Sequence, residues 1–324
     1  MQNSILERTS IWKETLAPRA NDDFEKEREI LRSSLLEQRK KVSYLVGMIS
    51  NALPGLTLHD VSHLDALWET ADLIVGPNFP LTPLEGFVLG SSILLHDSAL
   101  CFEAYEGGKE GLRKTPQWKD AFQDIKETKP LLPLQEVEHL SDFSALRNLH
   151  ASQAEKLLDM SWKERDTARE FFLLDNQELR NHLGKLIGKI ASSHHWDIER
   201  VIATFGSQIN ALANYPTEWR IDPLKLACIL RCADAAHVDN QRAPDFLHAL
   251  LRRSGVSYDH WKAQNRLAKV DIDQSDPNKC TLLYTSTIDF NEEDSDAWFV
   301  AYDAFCLVDK EIKSCNTLLE KHLK

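Results

Sequence analysis

A small set of histidines and aspartates carries the chemistry that this sequence can perform. Twelve histidines occur among 324 residues. His59 and His63 stand four apart, so on a helix they share a face. His96 and Asp97 are adjacent and close the apolar run at 87–95. Arg147 precedes His150 by three residues, again one helical face. His194 and His195 end another helical stretch, and Asp234 lies within the apolar stretch at 226–236. A single histidine on a helix is ordinarily solvated or hydrogen-bonded and argues little alone. A carboxylate inside an apolar helix is different, because burying it costs several kcal/mol unless it is paired or metal-bound. The His96-Asp97 doublet makes the same demand, and a divalent cation is the most direct way to meet it.

The elements that must position these residues read as helices. Glycine and proline are sparse, at 12 each, which leaves long uninterrupted stretches. Over residues 23–52 apolar side chains recur every three to four positions, predicting an amphipathic helix that Pro54-Gly55 ends. Thr57, with Asp60 three residues on, is a near capping box for a second helix to about 75. Pro83 suits the first turn of a third helix, running to His96. The charged stretch 106–142 reads as loops and short helices. Further helices are predicted at 144–159, 163–173, 177–193, 198–205 and 222–238. Residues 266–273 and 280–288 alternate apolar and polar around a Ser-Asp-Pro-Asn turn, a hairpin signal and the only clear β structure. A last helix spans 292–323. The prediction is an all-α chain of one domain, 1–324. Its metal-site core lies at 57–239, with a small β-hairpin at 264–290 and a C-terminal helix at 291–324.

Composition excludes several classes of function. Hydrophobic residues make up 43% of the chain, enough for a sizeable core. The 38 basic and 50 acidic residues give a net charge of −12, which argues against a surface built to coat duplex nucleic acid. Cys101, Cys228, Cys232, Cys280, Cys306 and Cys315 form no CxxC pair and read as buried free thiols, so a cytoplasmic location fits. The N-terminal segment lacks a signal-peptide layout, and no apolar run approaches the ~20 residues needed to cross a bilayer. No membrane association is expected.

In order, the residues read H…HD…H…HH…D, and here the sequence resembles the HD superfamily of metal-dependent phosphohydrolases. The resemblance covers about residues 57–239. It implies a helical bundle in which His63 (within LHDVSHLDALW), His96 and Asp97 (ILLHDSAL) and Asp234 (ILRCADAAHVD) surround one metal. His150 (LRNLHASQAE) and His194-His195 (ASSHHWD) correspond to the extra histidines of the binuclear branches. Asp97 would then bridge two divalent ions. Mixed imidazole and carboxylate donors suit Mn, Fe, Co, Ni or Zn, with Mg less well matched. Paired ions would stabilise charge on both attacking and leaving oxygens of a phosphoester.

The implied activity is hydrolysis of a phosphorylated small molecule (a nucleotide or cyclic nucleotide) or of single-stranded nucleic acid. Asp97, His150 and Arg147 are the candidate catalytic residues. The alternative is a metal-stabilised regulatory or ligand-sensing module that does not turn over. The wording, including HVDNQRAP, is closest to HD modules that can precede an ATPase of the heat-shock-chaperone type, which implies a protein partner or a fused ATPase domain. The sequence departs from the cyclic-dinucleotide phosphodiesterases: Ser98-Ala99-Leu100 replaces their Gly-Lys after the doublet, and their glycine-tyrosine-proline signature is absent.

Other residues stay open at this stage. His59 reads equally as an extra ligand, a partner to a ligand, or a surface residue. Asp60 lies three residues before His63, where it either orients that ring or serves only as a helix-start acid. Arg147, Arg231 and Arg242 read as phosphate contacts or as structural ion pairs. Asp234 is preferred over Asp239 as the terminal ligand. His139, His182, His237, His248, His260 and His322 match no position of the pattern and read as ordinary.

Overall fold

The computed structural model describes residues 5–164, 166–277 and 279–322. Its architecture is all-α with two small antiparallel strand pairs. The helices that matter for the site are α1 (Glu25–Val46), α2 (Val61–Val75), α3 (Pro83–Leu95), α4 (Leu134–Ala154), α5 (Gln177–Ser192), α6 (Pro223–Ala236), α7 (Val256–Asn265) and α8 (Ser295–His322).

At the centre lies α3, every one of whose residues is buried. It has no polar stripe, so it is surrounded, packing on α1, α5, α6 and the short helix Ser10–Thr15. Its start is fixed by a complete capping box: Thr82 accepts from the Glu85 N–H, Glu85 accepts from the Thr82 N–H, and Pro83 fills the first turn. Leu84, Phe87, Leu89 and Leu95 are wholly buried, each stabilising the fold by roughly 1.5–3 kcal/mol. Asp222 caps α6, accepting from the Lys225 N–H with Pro223 following, and Asn176 caps α5 through the Leu179 N–H. The long α8 packs along α6 and α7. One apolar cluster runs through the bundle, and a smaller one of Ala263, Leu267, Ala297 and Ala301 forms where α7 meets α8.

Several local expectations need correction. Thr57 does not cap α2; Asp60 does, accepting from the Ser62 N–H, and Gly76 ends the helix at φ 72°. The segment 163–173 is not a helix. Its charged residues cluster at one end and its apolar ones at the other, so no helical face forms. It folds instead as strands β1 (Trp162–Lys163) and β2 (Glu170–Phe171), with Ala168 at φ 54° in the turn. This adds a second strand pair to the expected hairpin, which is β3 (Asp271–Ile272) against β4 (Leu282–Leu283). The stretch 106–142 is more helical than predicted, holding Gly108–Arg113, Pro116–Thr128 and the first turns of α4. Four cysteines are buried, but Cys280 and Cys306 are exposed. Among the described residues, no helix is long and apolar enough to cross a membrane.

Candidate metal centre

The chemically distinctive residues converge from helix ends. His63 is the third residue of α2, and His96 caps the C-terminus of α3 with Asp97 directly after it. His150 lies in the last turns of α4, His194 and His195 in the 3-10 turn extending α5, and Asp234 in the last turn of α6. Two clusters result, each with its donor atoms within 4.8 Å of one another: His63, His96, Asp97 and Asp234, and beside it His150, His194 and His195. Asp97 joins them. Its Oδ2 faces His63 Nε2 at 3.6 Å and His96 Nε2 at 3.3 Å, while its Oδ1 faces His150 Nε2 at 3.5 Å and His194 Nε2 at 3.8 Å. Asp234 Oδ1 stands 3.6 Å from His96 Nε2. Donors held ~2.1 Å from a shared ion stand roughly 3–3.5 Å apart, close to these separations.

The hydrogen bonds decide which ring nitrogens are available. Nδ1 of His96, His150 and His194 lies 2.8, 2.7 and 2.6 Å from the carbonyls of Ile93, Arg147 and Ala191, three residues back in each case. Only a protonated Nδ1 can donate to a carbonyl, so in each neutral ring Nε2 bears the lone pair and points into the centre. His150 Nε2 and His194 Nε2 then face each other at 3.3 Å, two lone pairs that repel unless a cation is shared between them. Nε2 of His63 and of His96 are buried without a partner. Such atoms are costly unless a cation takes them. The donor set therefore fits divalent metal.

Electrostatics agree. Burial lowers the pKa of His63 to about 4, helped by the nearby Arg242, and burial lowers His194 to about 3 and His195 to about 4, so all three are neutral near pH 7 and could each offer a lone pair. Burial also opposes charge on His96, but Asp97 and Asp234 outweigh it and raise that imidazole. Both carboxyls are drawn well below their usual range despite burial, chiefly by His96. A buried pair of carboxylates this close requires positive charge, which His96 carries in the metal-free protein and divalent ions would supply in its place.

A cavity of about 690 Å³ opens over the centre, with Asp97, His150, His194, His195 and Asp234 in its walls. Arg147, Arg242 and His260 also line it, together with apolar side chains that include Phe143, Val238 and Leu307. Arg242 has no carboxylate partner among the described residues. Its Nη2 stands 2.6 Å from His59 Nε2, its Nη1 donates to the His237 carbonyl at 3.3 Å, and its Nε is buried and unpartnered. His59 is buried beside it: Nδ1 donates to the Thr57 carbonyl at 2.5 Å, and Nε2, 3.8 Å from Asp97 Oδ2, accepts from Arg242.

Arg231 does not reach the cavity. It is buried between α5 and α8, donating to the Ser193 and Trp196 carbonyls and pairing with Glu311 at 3.0 Å. Asp60 bonds to Ser62 and does not orient His63. That position belongs to His237, read from sequence as ordinary, whose Nδ1 lies 2.8 Å from His63 Nδ1. His260, read likewise, lines the cavity. The one available signal was the placement of His237 three residues after Asp234, just past the end of α6.

The family model described as HD-CE matches residues 53–314, most of the chain. No curated protein and no solved structure matches it.

Proposed function

The chain belongs to the HD-CE family, and we propose on that premise that it is a metal-dependent phosphohydrolase that uses two divalent ions to cleave a phosphoester. The observation that carries this reading is the pair of donor clusters sharing Asp97, at the floor of a cavity walled by arginines. His63, His96, Asp97 and Asp234 would hold one ion; His150, His194 and His195, with the second oxygen of Asp97, would hold the other. Bound there, divalent ions supply Lewis acidity to a phosphoryl oxygen and to the attacking water. The protein's residues do the rest. Asp97 fixes the spacing between the two clusters. Arg242, held by His59, and Arg147, exposed at the rim, take the non-bridging phosphate oxygens. The apolar wall at Phe143, Val238 and Leu307 receives the organic part of the substrate, and the cavity is large enough for a nucleotide or a short single strand.

The experiment loads the purified protein with Mn²⁺ or Co²⁺, measures bound metal, and assays bis(p-nitrophenyl) phosphate and a panel of nucleotides and single-stranded oligonucleotides. We expect about two ions per chain, metal-dependent hydrolysis, and loss of most metal and all turnover in Asp97→Ala with the helical signal kept. A wild-type protein that binds metal yet is silent across the panel would favour a sensing module instead. Unchanged metal in Asp97→Ala would show the centre to be misassigned.

A further inference from the structure

His63 is the only residue of the two clusters whose Nδ1 contact is another side chain. His96, His150 and His194 give their Nδ1 proton to a carbonyl three residues back. For His96 and His194 those carbonyls belong to Ile93 and Ala191, in the last four residues of α3 and α5, where helix carbonyls lack an internal partner. His63 sits instead in the first turn of α2. The carbonyl three residues before it is that of Asp60, which already accepts from the His63 and Leu64 N–H groups. An acceptor has to come from elsewhere, and His237 Nδ1, 2.8 Å away on a ring whose plane lies within 10° of that of His63, is the contact present.

Two facing ring nitrogens share one proton, so the arrangement has two states. If His237 holds it, His63 is protonated on Nε2 and has no lone pair for the centre. If His63 holds it, Nε2 is free to ligate, and His237 carries its own proton on Nε2. That nitrogen is buried, otherwise unpartnered, and 3.6 Å from Asp239 Oδ1. Asp239 is 1% exposed, and its Oδ2 is buried without a partner. An acceptor beside His237 Nε2 favours the proton there, which makes His237 Nδ1 an acceptor and leaves His63 Nε2 bare. We propose that His237 and Asp239 are positioning residues, a relay of one Nδ1–Nδ1 hydrogen bond and one 3.6 Å contact with a buried carboxylate, that selects the metal-binding tautomer of His63. The proposal rests on the metal-centre reading and adds to it the residues that prepare one ligand.

Three variants test the relay. His237→Leu removes the acceptor. His237→Gln restores one. Asp239→Asn keeps the shape and the bond from the Gln241 N–H to Oδ1 while removing the charge. The probe is Co²⁺, with affinity measured by competition against a chelator, ligand-field absorption recorded on the loaded protein, and melting of the metal-free form as the fold control. Outer partners of metal-binding histidines are typically worth ~10–100-fold in affinity. We expect His237→Leu to lose affinity in that range with an altered Co²⁺ spectrum, His237→Gln to recover most of it, and Asp239→Asn to lose several-fold at an unchanged metal-free melting temperature. Wild-type affinity and spectrum in Asp239→Asn and His237→Gln, together with no loss in a folded His237→Leu, overturn the relay. If His237→Leu does not fold, wild-type affinity and spectrum in Asp239→Asn alone overturn it. A wild-type protein that binds no Co²⁺ overturns the metal centre itself, and that outcome is separable because the relay variants play no part in it.

Discussion

Replacing Gly90 by alanine tests how tightly the helix ending in the His96-Asp97 doublet is clamped. Gly90 lies mid-way along α3, six residues before His96. In an uncrowded helix this change stabilises by roughly 1 kcal/mol, because glycine loses more backbone freedom on folding. Here an added Cβ would stand 2.6 Å from the Trp68 ring and 2.8 Å from Leu35 Cδ2. Both side chains are only 1% exposed, so neither can swing into solvent. Overpacking of this kind costs ~1–3 kcal/mol, and two simultaneous clashes place the cost near the upper end. The difference is a net loss of about 2 kcal/mol. With an unfolding entropy of ~2.1 cal/mol/K per residue, 324 residues give about 0.7 kcal/mol/K, so Tm should fall by roughly 3 °C. Gly184, in the middle of α5, is the internal control: its added Cβ would meet nothing closer than Leu158 Cβ at 3.6 Å, ordinary contact. Gly184→Ala should hold or raise Tm. Calorimetry on the metal-free proteins reads both. A Gly90→Ala protein melting at or above wild type, or a Gly184→Ala protein falling further than it, refutes the packing argument.

Three further outcomes follow from other sites. Asp142, 1% exposed, takes bonds from Arg113, from Trp118 Nε1 and from Lys109. These outweigh burial and lower its pKa. A depressed folded pKa means stability present above the unfolded value of ~3.9 and lost as pH falls below it. Asp142→Asn should therefore cost about 2 kcal/mol at pH 7 in urea unfolding, and the gap should narrow below about pH 4; a gap independent of pH would contradict the assignment. Arg242→Ala should raise KM for a phosphoester by about 10–100-fold, the worth of charge-assisted hydrogen bonds, without lowering bound metal; an unchanged KM removes Arg242 from the substrate site. His194→Ala should lower metal stoichiometry from two to one, retaining the ion at His63, His96 and Asp234; loss of both ions would mean that the two clusters are not separable.

How far the sequence reveals this molecule depends on the scale of each feature. Helices with local signals, such as α3 with Pro83 in its first turn and α6 within the expected span 222–238, were predictable for that reason. The segment 163–173 failed because a run of charge imitates a solvated helix until the turn at Ala168 is seen. Asp97 and Asp234 were legible because a carboxylate within apolar sequence announces its own cost. His237 was not, since its role comes from a 2.8 Å contact with a residue 174 positions away. The same holds for Arg231, whose position three before Asp234 aims it on a helix net towards the centre, whereas Glu311 on α8 holds it elsewhere.

The convergence of helix C-termini sets the order of binding events. α3, α5 and α6 all present their C-terminal ends to the centre, each carrying roughly half a negative charge from its aligned carbonyls. Asp97 and Asp234 add two full charges. Without metal the two carboxylates and the three helix ends outweigh the raised His96 imidazole, Arg242 and the exposed Arg147, so the floor of the cavity repels a phosphate. Two divalent ions reverse the sign, so on the proposed function metal must bind before substrate. Inorganic phosphate should then bind the loaded protein and not the metal-free one, by calorimetry at low ionic strength. Equal phosphate affinity in both forms would mean that the arginines alone make the anion site, and that the floor of the cavity does not contribute to holding the substrate.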